Sequence, residues 1–275
     1  MNIKGFLCVL VAQLCSATSA YATWSVIALD RDRGTVVVSS ATCVPQARLE
    51  GFPAKDLRDI QAIVVPGVGV AAAQAGVDRT RANQQLIFSE LQKGTAPAEI
   101  LEMLKKDPAI ESRQFAILDM QGRAAGFSGQ KNNKASLDRQ GQVPGTRIHY
   151  SIQGNILKSD EVVEAAVKAF EAANGRLTDR VMAAMEAADA KGGDSRCTCA
   201  SEPKIDAPCD GRTSHVAYIL RAEKTDTNGE SFNDGRYAMY ISVTDKDIKP
   251  TENANPVKTL RMRYDAWVSS GSPRL

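Results

Sequence analysis

The sequence predicts an α+β protein in which pairs of helices cover two central β-sheets. Two observations predict this class. Apolar, β-branched segments occur in pairs separated by short turns, and pairs of amphipathic helices follow them along the chain. The first two strand segments are also apolar at nearly every position, which indicates a sheet covered on both faces.

The first hairpin pairs residues 23–30 with residues 35–42 across Arg31-Asp32-Arg33-Gly34, which has the composition of a tight turn. If the strands pair next to the turn, antiparallel register places Thr23 opposite Thr42 and Ser25 opposite Ser40. The far end of the second strand would then bring hydroxyl groups beside Thr23.

The remaining elements follow from hydrophobic period and from turn or cap residues. Strands are expected within 60–75 (two, around Pro66-Gly67), at 112–120, 123–128, 149–157, 215–222 and 237–244. Helices are expected at 80–93, from Pro97 to before Pro108, at 159–173, at 177–190 and from Pro256 through Trp267. Residues 129–146 are predicted as a long loop and residues 194–211 as irregular.

Residues 1–22 have the pattern of a secretory signal peptide. Lys4 supplies the positive start, residues 6–17 a short apolar run, and Ala20-Tyr21-Ala22 a small-residue exit. The run is shorter than the roughly 20 apolar residues that a membrane span needs. Lipoprotein processing is disfavoured, because Leu7 and Leu14 precede the two cysteines of this segment. We expect cleavage after Ala22, a mature single domain of residues 23–275, and a periplasmic or secreted location.

Charge and cysteine usage limit the partners of the mature chain. Positive and negative residues are nearly balanced and scattered, which argues against nucleic acid, and the absence of a second long apolar run argues against the membrane. An even number of cysteines in an exported chain permits two disulfides with three connectivities, which the sequence leaves open. A Cys-x-Cys pair also binds metals in some proteins, but no histidine lies nearby in sequence, so we predict no metal site. The four mature cysteines are Cys43, Cys197, Cys199 and Cys209.

Thr23 would be the first residue of the mature chain. A terminal threonine carries a nucleophilic hydroxyl and a free α-amine that serves as its general base. The alternative is that signal cleavage exposes such a residue by chance, so Thr23 alone is weak evidence.

Four segments, the first of which begins at Thr23, carry a resemblance to a known family. They are Thr23-Trp24-Ser25-Val26-Ile27-Ala28, Gly67-Val68-Gly69-Val70 leading to Gln74, Ser151-Ile152-Gln153-Gly154-Asn155, and Gly192-Gly193-Asp194-Ser195-Arg196. With them the chain resembles the N-terminal-nucleophile (Ntn) hydrolases, and more narrowly the Ntn-hydrolase-like family catalogued as domain of unknown function 1028. The resemblance implies a four-layer αββα sandwich with Thr23 as the nucleophile. The chain departs from the family pattern at Thr42, Cys43 and residues 77–83.

The candidate site residues receive separate roles. Asn155 would donate its side-chain amide to a tetrahedral oxyanion, helped by backbone N–H groups near Thr42 or Gly154; its alternative is an Asx turn. Gln74 would hydrogen-bond substrate or the nucleophile's surroundings, or only local backbone. Asp194 and Arg196 are expected to form an ion pair that positions their loop, and Ser40 to add a hydroxyl.

The function predicted from these residues is hydrolysis of an amide bond in a small amide or peptide, without a cofactor. The alternative is a non-catalytic periplasmic ligand-binding protein on the same sandwich. Association of the chain with a second copy is left open. His149 and His215 are expected to be packed or surface histidines, because neither has a nearby serine or cysteine constellation in sequence.

Overall fold

A computed structural model describes residues 23–52 and 54–271 of the chain. The predicted signal peptide, residues 1–22, lies outside the described residues. The β-strands are β1 (Thr23–Asp30), β2 (Thr35–Thr42), β3 (Ala62–Val65), β4 (Gly69–Ala75), β5 (Arg113–Asp119), β6 (Ala124–Ser128), β7 (Leu137–Gln142), β8 (Ile148–Asn155), β9 (Val216–Ala222) and β10 (Met239–Thr244). The α-helices are α1 (Gln46–Glu50), α2 (Leu57–Gln61), α3 (Ala82–Lys93), α4 (Pro97–Leu104), α5 (Glu161–Ala172), α6 (Leu177–Ala190) and α7 (Pro256–Ser269).

The described strands form two antiparallel sheets, so the fold is α+β as the sequence predicts. The larger sheet has six strands in the order β10-β9-β2-β1-β8-β7, and the smaller has four in the order β3-β4-β5-β6. The first hairpin has the predicted register, with Thr23 opposite Thr42 and Ser25 opposite Ser40. Strand β1 lies between β2 and β8, so Thr23 also pairs with Asn155.

Three hydrophobic clusters show how these elements are layered. One cluster packs helices α5, α6 and α7 on one face of the six-stranded sheet. A second lies between the two sheets, and a third packs α3 and α4 on the outer face of the four-stranded sheet. Every residue of β2 is buried, and every residue of β1 except Asp30. This explains why both strands are apolar on both faces, since one face meets helices and the other meets the second sheet.

The long loop predicted over residues 129–146 is wrong in part, because it contains β7. This strand reads Leu-Asp-Arg-Gln-Gly-Gln and lies partly exposed at an edge of the larger sheet, paired only with β8. A polar edge strand lacks the apolar alternation that a sequence reading needs. The short helices α1 and α2 also escaped prediction, because one turn of helix leaves no periodic pattern.

The four mature cysteines form two disulfides. Cys43 pairs with Cys197, and Cys199 pairs with Cys209, which selects one of the three connectivities that the sequence allowed. Disulfides are typical of oxidising, extracellular compartments. Within residues 23–52 and 54–271, no helix is long and apolar enough to span a membrane.

Candidate active site

A cleft opens where β1 begins and β4 ends. Thr23 lines it, together with residues from α1, α2, the start of α3 and the start of β5. Thr23 itself is buried within the wall. The sequence placed Thr23 at a strand terminus, and the fold places that terminus at a concave surface, where ligand sites usually occur.

Three atoms of Thr23 are held by three different neighbours. Its hydroxyl Oγ1 donates to Thr42 Oγ1 at 3.3 Å, across the first hairpin. Its backbone N–H donates to Asn155 Oδ1 at 3.0 Å, across the β1–β8 pair. Its carbonyl oxygen accepts from Gln74 Nε2 at 3.2 Å, from the opposite sheet. Four predicted site residues therefore meet at one point.

The backbone is unusual directly after two of these residues. Ala75 follows Gln74 with φ of 71°, and Ile156 follows Asn155 with φ of 55°. Residues other than glycine rarely adopt this left-handed backbone region. A β-branched residue such as isoleucine does so least readily. Such residues each destabilise the fold by about 1–3 kcal/mol and cluster at functional sites. The chain thus accepts backbone strain on both sides of Thr23.

A chain of glutamines between the sheets supports Thr23 and Asn155. Gln74 Oε1 accepts from Ser25 Oγ at 2.8 Å and from Gln61 Nε2 at 2.7 Å. Gln74 Nε2 also donates to Gln114 Oε1 at 2.6 Å, and Gln114 Nε2 donates to the Gly154 carbonyl at 2.8 Å. The network therefore joins the carbonyl of Thr23 to the residue preceding Asn155.

Sequence reasoning missed Gln61 and Gln114, although both are fully buried. Gln114 directly precedes the apolar run of β5, and Gln61 directly precedes the apolar strand β3. An uncharged amide next to a buried strand is a usable signal, because a buried amide needs hydrogen-bond partners. Nothing in sequence shows that the two amides face each other from different elements.

Replacement of Gln114 by methionine is expected to lower the free energy of unfolding by about 2–4 kcal/mol. The substitution keeps the length of the side chain but leaves the Gly154 carbonyl without this donor, and an unsatisfied buried group costs about 1–3 kcal/mol. Urea unfolding measures the loss. Gln121→Met, at an exposed position of the β5–β6 turn, is the control and should change stability by less than about 0.5 kcal/mol. If both variants lower the free energy of unfolding equally, the network does not have the structural role assigned to it.

Asp194 contacts the residue after Thr42 and does not line the cleft. Its carboxylate accepts from the Cys43 backbone N–H at 2.9 Å and from Arg196 Nε and Nη2 at 3.0 and 2.7 Å. Gly193 allows this approach: its φ is +43°, and a Cβ there would lie 2.7 Å from the Trp24 ring. The ion pair that the sequence predicted is present, and it fixes the end of β2.

Two other predicted residues serve the backbone near the cleft. Ser40 Oγ donates to the Trp24 carbonyl at 2.6 Å, which ties β2 to β1 one residue from Thr23. Gly154 pairs with Trp24, and a Cβ there would lie 2.4 Å from Leu157. Neither residue lines the cleft, and the role of each in catalysis stays a prediction.

His215 is buried at the end of β2, with its backbone N–H donating to the Thr42 carbonyl at 2.7 Å. Burial lowers the pKa of His215 to about 4, with added repulsion from Arg212 and Arg196. Its Nδ1 lies 3.7 Å from an Asp245 carboxylate oxygen, and burial raises the pKa of Asp245. The imidazole is therefore neutral at neutral pH.

Stability should fall as the pH decreases from about 6.5 to about 4, because the unfolded chain protonates His215 in this range while the folded chain does not. The sign is that of a histidine whose folded pKa is lower than its unfolded pKa. A shift of this size corresponds to up to about 3 kcal/mol. Thermal unfolding of wild type and His215→Gln at pH 7 and pH 4.5 tests this, and the variant should show the smaller difference. An equal pH difference in both proteins would contradict the assignment.

The described residues contain no group of three histidine, cysteine or acidic side chains placed to hold a metal ion. His149 lies away from the cleft, beside the turn at Gly122. Thr23 hydrogen-bonds to hydroxyl and side-chain amide groups.

Comparison with known proteins gives a family and a fold. The model of the family of unknown function DUF1028 matches residues 23–202. A crystal structure of a DUF1028 protein from Silicibacter pomeroyi superposes with a TM-score of 0.62 at 20% identity, covering 90% of this chain and 89% of that one. At this identity the likeness concerns the fold alone. No curated protein matches the chain. Because the family model covers well over half of the 275 residues, the chain belongs to the DUF1028 family of unknown function.

Proposed function

We propose that this protein is an exported amide hydrolase of the N-terminal-nucleophile type, built on the αββα sandwich of that class. One observation carries the proposal: Thr23 lines a cleft while the nitrogen of the same residue is held by Asn155. Cleavage after Ala22 would turn that nitrogen into a free α-amine at the same place.

The α-amine would be the general base. Its ordinary pKa of about 7.7–8.0 leaves a fair fraction unprotonated at neutral pH. Asn155 Oδ1 accepts from this nitrogen and would orient the amine while its lone pair takes the hydroxyl proton, directly or through one water. In the uncleaved chain the nitrogen belongs to an amide and has no basic lone pair, so the precursor would be inactive.

The reaction would proceed in two balanced steps. Thr23 Oγ1 attacks the substrate carbonyl carbon, the C–N bond breaks, and the leaving amine takes the proton held by the α-amine. The threonyl ester is then attacked by water, which the α-amine deprotonates. This releases the acid and restores the hydroxyl. Thr42 Oγ1, at 3.3 Å from Thr23 Oγ1, would hold the hydroxyl in place before attack.

The tetrahedral oxyanion needs fixed hydrogen-bond donors, each contributing very roughly 3 kcal/mol to the barrier. We assign the side-chain NH₂ of Asn155 to this role, with a backbone N–H near Thr42 or Gly154 as partner. The network through Gln74 and Gln114 supports this assignment, because it holds the backbone on both sides of the β1–β8 pair. Rigid support is what a preorganised oxyanion site requires.

The exported location rests on two independent features. The signal-like pattern of residues 1–22 ends directly before Thr23, and the two disulfides fit an oxidising compartment. Signal cleavage would therefore serve both export and activation.

Sequencing the N-terminus of the exported protein and screening it against a panel of small amides and dipeptides tests the proposal. We expect a chain that starts at Thr23 and releases acid and amine in equal amounts from at least one member. A chain that starts elsewhere overturns the proposal, since Thr23 would then lack its base. A correct terminus with ligand binding but no turnover would support the non-catalytic binding protein instead.

A further inference from the structure

The cleft beside Thr23 has an apolar wall. The apolar residues that line it are Val44, Leu49, Phe52, Leu57, Ile60, Ala73, Ala75, Val77 and Phe115. They come from the four-stranded sheet, from the short helices α1 and α2, and from the loops beside these elements. Burial of an apolar group against such a wall is favourable in proportion to the area removed from water.

The two charged residues of the cleft are committed to neighbours within the protein. Asp78 accepts hydrogen bonds from Thr80 and from the Asn83 N–H at 3.0 Å. Arg113 donates to Asp107 Oδ2 at 2.8 Å and to the Gly76 carbonyl at 2.7 Å. Both charged groups already hydrogen-bond within the protein, and a further charge buried against the apolar wall would be unfavourable.

One polar atom of the wall is different. Gln84 lines the cleft and is only 2% exposed. Its Nε2 donates to the Ile60 carbonyl at 2.7 Å, whereas its Oε1 has no hydrogen-bond partner among the described residues. A buried amide oxygen is stabilised when it accepts a hydrogen bond. Gln84 thus leaves one buried amide oxygen without a donor at a residue that lines the cleft.

We propose that the cleft selects uncharged amides that place an apolar substituent of leucine or phenylalanine size against the wall and donate an N–H to Gln84 Oε1. The inference rests on the proposed function for its reaction and extends it to the class of substrate. The apolar wall supplies affinity, and Gln84 fixes which end of the amide faces Thr23. Charged side chains such as those of lysine or glutamate are excluded.

Binding and turnover should be measured separately. Calorimetry on exported Thr23→Val, which lacks the nucleophile, is expected to show N-acetyl-L-leucinamide binding at least about tenfold more tightly than N-acetylglycinamide. N-acetyl-L-lysinamide should bind no better than the glycine compound. Leucine and lysine compounds that bind equally would overturn the inference, whether or not the wild type turns over any amide. If the protein binds these amides selectively but the wild type does not hydrolyse them, the inferred ligand class is supported and the proposed hydrolase function is contradicted.

The role of Gln84 is tested with Gln84→Met and, as a matched control, Gln85→Met at the exposed neighbouring position of α3. Each variant is made in the Thr23→Val background and titrated with N-acetyl-L-leucinamide, with its analogue methylated on the acetamide nitrogen, and with its analogue dimethylated on the carboxamide nitrogen. We expect one of these modifications to weaken binding about tenfold in the Gln85→Met protein and less than twofold in the Gln84→Met protein. A methylation penalty of the same size in both variants, with unfolding confirming that both are folded, would show that Gln84 accepts no hydrogen bond from the ligand.

Discussion

A Thr23→Val variant is expected to lose amide hydrolysis by at least about a thousandfold. Valine keeps the shape and β-branching of threonine, so β1 should still pair with β2 and β8, but no oxygen remains to attack the substrate. Loss of a covalent nucleophile in comparable hydrolases reduces kcat by several orders of magnitude. The measurement is kcat/KM for the best amide of the panel, with thermal unfolding to show that the variant folds.

Thr35→Val is the matched control for this prediction. Thr35 lies at the other end of the same hairpin, roughly 23 Å from Thr23 at about 3.3 Å per residue, and its hydroxyl donates to Glu223 at 2.7 Å. We expect it to lower stability by about 1 kcal/mol and to leave kcat/KM within about twofold. If Thr23→Val and Thr35→Val hydrolyse amides equally well, Thr23 is not the nucleophile.

Removal of the Cys43–Cys197 disulfide should have the largest effect on stability. The two cysteines are 154 residues apart in sequence, and cross-links over long loops restrict the unfolded chain most. For Cys43→Ala/Cys197→Ala we expect the free energy of unfolding to fall by about 5 kcal/mol. For Cys199→Ala/Cys209→Ala we expect a fall of about 3 kcal/mol, because that disulfide joins residues only 10 apart in sequence. Denaturant unfolding of the two double variants measures the difference.

The two double cysteine variants should also differ in their kcat for amide hydrolysis. Cys43 directly follows Thr42, and its N–H is held by Asp194, so loss of this disulfide loosens the residue that contacts the Thr23 hydroxyl. The other disulfide is exposed and does not line the cleft. We expect kcat to fall only in the first variant. Identical stability and kcat in the two variants would refute a link between this disulfide and the site.

The paired partners of Thr23 were predictable because strand register follows from simple rules. Once the hairpin turn was located at Arg31–Gly34, antiparallel pairing placed Thr42 opposite Thr23 without further information. The helices α3 to α7 were predictable because each carries apolar residues at helical spacing or a clear start or stop residue.

Contacts between the two sheets were not predictable in this way. The meeting of Gln74, Gln61 and Gln114 depends on how one sheet lies over the other, which no local pattern encodes. The disulfide connectivity depends on the path of the irregular segment after α6. The orientation of Asn155 is also a product of the fold, since its oxygen accepts from Thr23 only because β8 is the neighbour of β1.

The most direct test of the account is to trap an acyl group on the exported protein and locate it by mass spectrometry. A slowly hydrolysed activated ester or β-lactone with an apolar acyl chain would be used, followed by peptide mapping. The account predicts one acyl group per chain, on a terminal peptide beginning with Thr23, and none on Thr23→Val. An acyl group on any other residue, or a terminal peptide that begins before or after Thr23, would contradict it.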